Sequence, residues 1–212
     1  MNHTTGLSTL DRSLTQSMPA SFAQAALPDC AIARLCAAVD AAFDTCDDAQ
    51  DPSLRASFAR GVRAALAEAA ADPALLTDAQ REGAANGYRR HLLAADPLGR
   101  YAIAALVWMP GQASPIHAHH TWCGYAVIDG TLTETVYEWN PASECATPLR
   151  DQSRKPGAVS FTRAGRTGIH RLGNRSGTAA VSLHIYGVPG ERIASHVNDI
   201  VRIADSAQAL PA

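Results

Sequence analysis

Two histidines spaced two residues apart are the side chains in this sequence best suited to chemistry. On an extended backbone His117 and His119 point to the same face, so both imidazoles can bind one metal ion. His120 points to the opposite face and is the weaker candidate. A metal site needs at least one more ligand, and His170 or His184 further along the chain can supply it.

The elements that must position these histidines are short β-strands. From residue 88 onward, β-prone runs alternate with Gly, Pro, Asn and Asp, which is typical of a β-sandwich or barrel. The mouth of such a small barrel is a common place for a binding site. The predicted strands cover residues 88–93, 101–109, 115–129, 131–139, 158–162, 169–172 and 178–186, with one last strand or helix within 193–203.

An Ala-rich region with helical periodicity precedes the strands. Apolar residues recur at three- and four-residue steps over residues 32–43 and 54–69, which predicts two amphipathic helices. Asp72 and Pro73 predict the start of a third helix that runs towards Gly83. We expect this helical layer to cover one open face of the strands.

The sequence predicts one domain with a short tail. Residues 1–20 are rich in Ser and Thr, show little periodicity and are expected to be loose. Residues 21–212 are expected to form a single domain. Within it, we expect a helical layer over 21–86, a mainly β barrel over 87–190 and a C-terminal extension over 191–212.

The composition excludes several classes of partner. The formal net charge is −2 and no Lys/Arg cluster occurs, so we expect no nucleic-acid partner. No apolar run approaches the ~18 residues of a membrane span, and no signal peptide is indicated. The five cysteines show no CxxC pairing, which favours a reducing, cytoplasmic location. We expect a monomer or a weak homo-oligomer.

The histidine segment resembles the first motif of the cupin superfamily, G-x5-H-x-H-x3-E-x6-G. The matching residues are Gly111, His117, His119 and Gly130, and Cys123 stands where that motif has its acidic ligand. His170 and Asn174 match the end of the second cupin motif, H-x3-N. Loss of the acid, followed by the pattern Ser182-x-His184-x-Tyr186, is most similar to the cysteine dioxygenases. The resemblance implies a mainly β, cupin-type barrel (jelly roll) with an N-terminal α-helical layer.

The resemblance further implies iron(II), Fe(2+), held by His117, His119 and His170. Imidazole suits iron, zinc, copper and nickel alike, so the ligand type alone does not choose the metal. Three neutral imidazoles leave the full charge on the ion and leave coordination positions open. Such a site favours an incoming thiolate, because a thiol bound to a metal loses its proton.

Two further features of the site follow from the same resemblance. Ser182, His184 and Tyr186 alternate on one predicted strand and share a face, so they can form a hydrogen-bonded relay that ends in a phenol near the iron. The alternative is a polar stripe on the surface of a sheet. In cysteine dioxygenases the cysteine of the first motif can form a thioether with this tyrosine, which makes Cys123 and Tyr186 the candidates here. The alternative for Cys123 is a small core residue.

Substrate recognition is assigned to Tyr88 and Arg90. They resemble the Tyr-x-Arg segment of the family, in which the arginine pairs with the substrate carboxylate. A planar guanidinium matches a carboxylate through two parallel hydrogen bonds. The related 3-mercaptopropionate dioxygenases tend to have glutamine at this position, so Arg90 favours L-cysteine. The alternative is that Arg89 and Arg90 are solvated charges at a strand edge.

These residues predict an iron(II)-dependent thiol dioxygenase that converts L-cysteine and O2 to cysteine sulfinate. One alternative is a dioxygenase for another small thiol, such as 3-mercaptopropionate, cysteamine or mercaptosuccinate. Others are a non-enzymatic cupin that binds a metal or small ligand and, less favoured, a zinc or nickel isomerase. His91 and His196 are expected not to bind the metal, and Trp108 is expected to serve only packing.

Overall fold

Within the part of the helical layer that the structure describes, the chain forms two α-helices. A computed structural model describes residues 30–46 and 51–204, so the expected tail over 1–20 lies outside the described residues. Helix α1 spans Ala31–Phe43, and α2 spans Ala56–Ala71 after a 3-10 turn at Pro52–Leu54. Both bury one apolar stripe, as their periodicity predicts. Neither these helices nor the described 3-10 segments are long and apolar enough to cross a membrane.

The prediction of a third helix is wrong. After α2 the chain forms turns and then only a short 3-10 segment, Asp78–Arg81. The Asp72 carboxylate accepts a hydrogen bond of 2.8 Å from the backbone N–H of Ala74, which closes a local turn instead of a helical one. Leu75 and Leu76 are buried beyond it and fix this turn against the core.

Ten strands follow as far as residue 204, where the described structure ends, and they form two five-stranded antiparallel sheets. They are β1 Arg89–Ala95, β2 Ala102–Trp108, β3 His117–His119, β4 Cys123–Asp129, β5 Leu132–Asn140, β6 Cys145–Arg154, β7 Val159–Thr162, β8 Gly165–Gly173, β9 Ala180–Tyr186 and β10 Asn198–Ile200. The first sheet has the order β1-β2-β9-β4-β7, and the second has the order β10-β3-β8-β5-β6. This is a double-sheet jelly roll, and the predicted mainly β fold with an N-terminal helical layer is confirmed.

Two strand predictions need correction. The segment 115–129 was expected to be continuous, but β3 belongs to the second sheet and β4 to the first, so residues 120–122 carry the chain from one sheet to the other. Strand β6 was not predicted. It is an edge strand that contains Pro148 and whose side chains are mostly exposed, so it lacks the apolar alternation of a half-buried strand.

Strands β2 and β9 of the first sheet are buried on both faces, and their residues fall into two sets. Along β2 and β9, Ile103, Val107 and Leu183 pack with the helices in one apolar cluster. The alternate residues, such as Leu106 and Tyr186, pack into the space between the two sheets. Side chains at every second position of β9 therefore face the interior of the jelly roll.

Candidate metal centre

Two strands of the second sheet bring three histidines together. Strands β3 and β8 are antiparallel, and their register places His117 directly opposite His170. His119 follows on the same face of β3. The ring centroids lie 4.7 to 5.1 Å apart, and one nitrogen of each ring lies within 4.8 Å of the others. All three side chains are buried. Of the candidates for the third ligand, the geometry therefore groups His170, and not His184, with the first pair.

Hydrogen bonds define which nitrogen is free on two of these rings. The Nδ1 atom of His117 lies 2.9 Å from the carbonyl oxygen of Pro115. The Nδ1 atom of His170 lies 2.7 Å from Oε1 of Glu134. A carbonyl and a carboxylate only accept, so both Nδ1 atoms carry the proton and both Nε2 lone pairs remain available. Two free lone pairs on converging rings fit a metal ion.

The surroundings keep His117 and His119 neutral. Burial, and next the neighbouring His170, lower the pKa of His117 to about 3. The same two causes, in the same order, hold the pKa of His119 well below its usual value. Only a neutral imidazole has a lone pair for a metal, so His117 and His119 are in the form that can bind one at neutral pH.

The sequence did not single out Glu134, the carboxylate that holds His170. Glu134 lies on β5 and is buried, and its second oxygen accepts a hydrogen bond of 2.6 Å from Nε2 of Gln152. Arg154 lies 3.5 Å from the same oxygen. Burial alone would raise the pKa of Glu134, but His170 and Arg154 outweigh it and lower the pKa, so the side chain is ionised. The sequence gives one indication of this role: Glu134 lies two residues after Leu132, so on a strand both side chains point to the same, buried face.

The three alternating residues of β9 form the predicted hydrogen-bonded chain. Oγ of Ser182 lies 2.8 Å from Nε2 of His184, and Nδ1 of His184 lies 3.1 Å from the hydroxyl of Tyr186. All three are buried in the interior, so they are not a stripe on the sheet surface. Burial lowers the pKa of His184 and raises that of Tyr186, which keeps both side chains uncharged.

Trp108 extends this chain and was expected only to pack. It lies at the end of β2, opposite β9, and its indole Nε1 donates a hydrogen bond of 2.9 Å to Oγ of Ser182. Its ring also stacks on that of Tyr88 at 4.4 Å between centroids. The expectation is incomplete, because a buried indole needs a hydrogen-bond acceptor and alternation alone does not show where one lies.

Arg90 lies beside the rings of Tyr88 and Tyr186. Its guanidinium is 6.0 Å from the ring centroid of Tyr88 and 5.7 Å from that of Tyr186. Nη1 donates a hydrogen bond of 2.8 Å to the carbonyl of Ile193, and Nε is buried without a partner among the described residues. Arg89, in contrast, is exposed and faces Glu82. Only Arg90 is thus a candidate for ligand binding.

Cys123 lies directly opposite Tyr186 in the pairing of β4 with β9. It is buried, and burial raises the pKa of its thiol. The register therefore brings the two candidates for a thioether together, and the bond itself stays a prediction.

One cavity joins the histidines to the remaining predicted residues. Its lining includes Tyr88, Arg90, Trp108, His117, His119, Cys123, His170, His184 and Tyr186. The other histidines of the described chain lie elsewhere. His120 is exposed, His91 contacts the carbonyl of Glu82, and His196 contacts Ser195.

The solved structures that are similar to this chain include two proteins described as cupins and an oxalate oxidase. A cupin 2 conserved barrel domain protein from Salinispora arenicola is 16% identical over 52% of this chain and 84% of its own, with a TM-score of 0.39. A cupin superfamily protein from Desulfitobacterium hafniense is 16% identical over 50% and 83%, with a TM-score of 0.38. An oxalate oxidase in complex with the substrate analogue glycolate is 17% identical over 57% and 63%, with a TM-score of 0.42.

A family comparison covers the strands and the whole candidate site. The model of the family "Cysteine dioxygenase type I" matches residues 81–198, a range that includes the three clustered histidines, Arg90 and the chain on β9. This range is more than half of the 212 residues. The chain therefore belongs to the cysteine dioxygenase type I family.

Proposed function

We propose that this protein is an iron(II)-dependent thiol dioxygenase whose substrate is L-cysteine. One observation carries the proposal: three clustered histidines without a carboxylate ligand share a cavity with an arginine that has an unpartnered donor among the described residues. The membership of the cysteine dioxygenase type I family supports the same class of reaction.

His117, His119 and His170 would hold the metal. An all-imidazole set contributes no negative charge, so the bound ion keeps its full charge and attracts an anionic sulfur. When bound, iron(II) would supply the redox chemistry that brings a thiolate and O2 together. Glu134 would fix the ring of His170 through the Nδ1 hydrogen bond and strengthen it as a donor.

Arg90 would bind the substrate carboxylate. Its Nε proton has no acceptor among the described protein groups, and an unpartnered donor on a buried cation is costly unless a ligand accepts from it. Tyr88 and Tyr186 flank the guanidinium and restrict its position. A thiol with a carboxylate at the far end would span the cavity from Arg90 to the histidines.

The reaction needs no further electron donor. A thiolate and O2 combine to give a sulfinate, RS⁻ + O2 → RSO2⁻, in which the sulfur is oxidised and both oxygen atoms are retained. Tyr186 lies between Arg90 and His184 in this cavity, where its hydroxyl would orient the reacting groups. The five free cysteines agree with a reducing compartment, and we propose a cytoplasmic location.

Oxygen uptake by the iron-loaded protein tests the proposal. We expect uptake with L-cysteine and a product two oxygen atoms heavier. Higher kcat/KM with 3-mercaptopropionate would keep the reaction and the role of Arg90 in binding a carboxylate, but would replace the substrate. Absence of uptake with L-cysteine, 3-mercaptopropionate, cysteamine and mercaptosuccinate, in protein with bound iron, would contradict the dioxygenase and favour a binding cupin.

A further inference from the structure

Two of the three clustered histidines have a hydrogen bond that fixes the ring, and the third has none. Nδ1 of His117 is bonded to the carbonyl of Pro115, and Nδ1 of His170 is bonded to the carboxylate of Glu134. Nδ1 of His119 is buried and has no hydrogen-bond partner among the described residues. A histidine that binds a metal almost always donates its other ring N–H to an acceptor, which sets the orientation of the ring. His119 therefore needs an acceptor of its own.

The strand beside His119 offers a residue at the right place. Strand β10 forms an edge of the second sheet and pairs with β3, and its register places Asn198 directly opposite His119. The backbone N–H of His120 donates to the carbonyl of Val197, one residue beyond the pair on each strand. A backbone bond at this place marks a non-hydrogen-bonded pair, the kind in which opposite side chains approach each other most closely.

The side chain of Asn198 faces the same cavity as that of His119. Both residues line it, as expected for opposite residues of an antiparallel pair. Asn198 is half-buried, and its carboxamide makes no hydrogen bond within the described part of the chain. The Cβ atoms of such pairs lie about 4.5–5.5 Å apart. Oδ1 of an asparagine and Nδ1 of a histidine each lie two bonds from Cβ, so these two atoms can meet across the pair.

Binding of a metal creates the need for this contact. Nε2 of a neutral imidazole can bind an ion only when the ring proton is on Nδ1. In His119 this proton is buried, and a buried donor without an acceptor is unfavourable. We propose that Asn198 is the positioning residue of His119, and that its carboxamide oxygen accepts from Nδ1 when the ring binds the metal. The inference rests on the metal site of the proposed function, but not on the reaction.

This role makes the C-terminal segment part of both halves of the site. Arg90 donates to the carbonyl of Ile193, five residues before Asn198 on the same segment. The other face of β10 is held independently, because Asp199 forms an ion pair of 3.1 Å with Arg166 on β8. The strand therefore keeps an anchor of its own when the side chain at position 198 is changed.

The affinity for zinc tests the role of Asn198. We would measure it on the full-length protein by competition with a chelator, since imidazoles also bind zinc. Asn198→Leu removes the acceptor and keeps the size of the side chain, and we expect about 10- to 100-fold weaker binding. Asn198→Asp keeps an acceptor oxygen at the same place and should retain at least the wild-type affinity. Wild-type affinity in Asn198→Leu, or an equal loss in Asn198→Asp, would overturn the proposal.

The matched control is Ile200→Ala on the same strand. Ile200 is exposed and lies opposite His117, whose ring already has an acceptor. We expect the zinc affinity of this variant to equal that of the wild type. A loss as large as that of Asn198→Leu would show that the strand, and not the carboxamide, determines the affinity, which would contradict the proposal.

A crystal structure of the zinc-loaded wild-type protein tests the contact without any variant. We expect Nε2 of His119 on the zinc and Nδ1 about 2.7–3.2 Å from Oδ1 of Asn198. A water molecule or another protein group as the acceptor of Nδ1 would overturn the proposal, and so would a zinc ion bound to Nδ1.

These tests need neither a thiol nor O2. An unchanged zinc affinity in Asn198→Leu would leave the dioxygenase proposal standing. Conversely, a protein that consumes no oxygen with any thiol can still show the contact between Asn198 and His119. Only a wild-type protein that binds no zinc would contradict both the metal site and the role of Asn198.

Discussion

At the scale of single residues, the three histidines differ in what holds them. His117 donates to a backbone carbonyl, whereas His170 donates to the ionised Glu134. A carboxylate behind a ligand fixes the ring and raises its basicity more than a carbonyl does. We therefore expect Glu134 to contribute to metal affinity although it does not face the cavity of the three histidines.

The substitution Glu134→Gln tests this contribution. The amide oxygen can still accept from His170, but the negative charge is lost, so we predict metal binding that is about 10- to 100-fold weaker. Competition with a chelator measures it. Glu138→Gln, the same change at an exposed position of the same strand, is the control. Equal affinities for both variants would show that the charge of Glu134 is irrelevant.

Arg90 carries the second prediction at this scale. Replacing Arg90 by alanine removes the donors for a carboxylate, and we expect KM for L-cysteine to rise about 10- to 100-fold. For any activity with cysteamine, which has no carboxylate, KM should not change. Arg89→Ala, at the exposed neighbour, should leave both KM values unchanged. Steady-state oxygen uptake measures all of them. A parallel loss with both thiols would argue against carboxylate binding by Arg90.

At the scale of elements, the alternation of side chains along a strand made the site partly predictable. The spacing of His117 and His119, and that of Ser182, His184 and Tyr186, predicted shared faces, and the strands have them. Alternation does not report which strand lies opposite which. The contacts of Glu134 with His170 and of Trp108 with Ser182 cross between strands, so the sequence could not show them. For the same reason the step from β3 to β4 between sheets was missed.

The contact of α2 with β4 yields a prediction for the helical layer. Gly124 follows Cys123 on the face below α2, and an added Cβ would lie 2.9 Å from Cδ1 of Leu66 and 3.1 Å from Cγ1 of Val62. Gly124→Ala should overpack this contact and lower the free energy of unfolding by about 1–3 kcal/mol, or about 2–12 °C in Tm.

Thermal unfolding measures the effect of Gly124→Ala. Gly177→Ala is the control, because no atom lies within 4 Å of the added Cβ there. If Gly124→Ala melted no earlier than Gly177→Ala, the helical layer would not be packed as closely on β4 as the structure has it.

At the scale of the whole molecule, the helices and the second sheet cover opposite faces of the first sheet. Strands β2 and β9 are therefore buried on both faces, and the polar chain on β9 lies between the sheets, where water does not compete for its hydrogen bonds. The amphipathic helices and the mainly β class were predictable from periodicity. The turn that replaces the predicted third helix was not predictable, because it depends on a local hydrogen bond to Asp72. The edge strand β6 was not predictable either, because its exposed side chains show no periodic apolar pattern.

The central claim is that this cavity transfers both atoms of O2 to one thiol sulfur. Incubating the iron-loaded protein with L-cysteine under 18O2, followed by mass spectrometry of the product, tests it most directly. The account predicts a cysteine sulfinate that carries two 18O atoms. A sulfinate with one labelled oxygen and one from water, or cystine as the sole product, would contradict it.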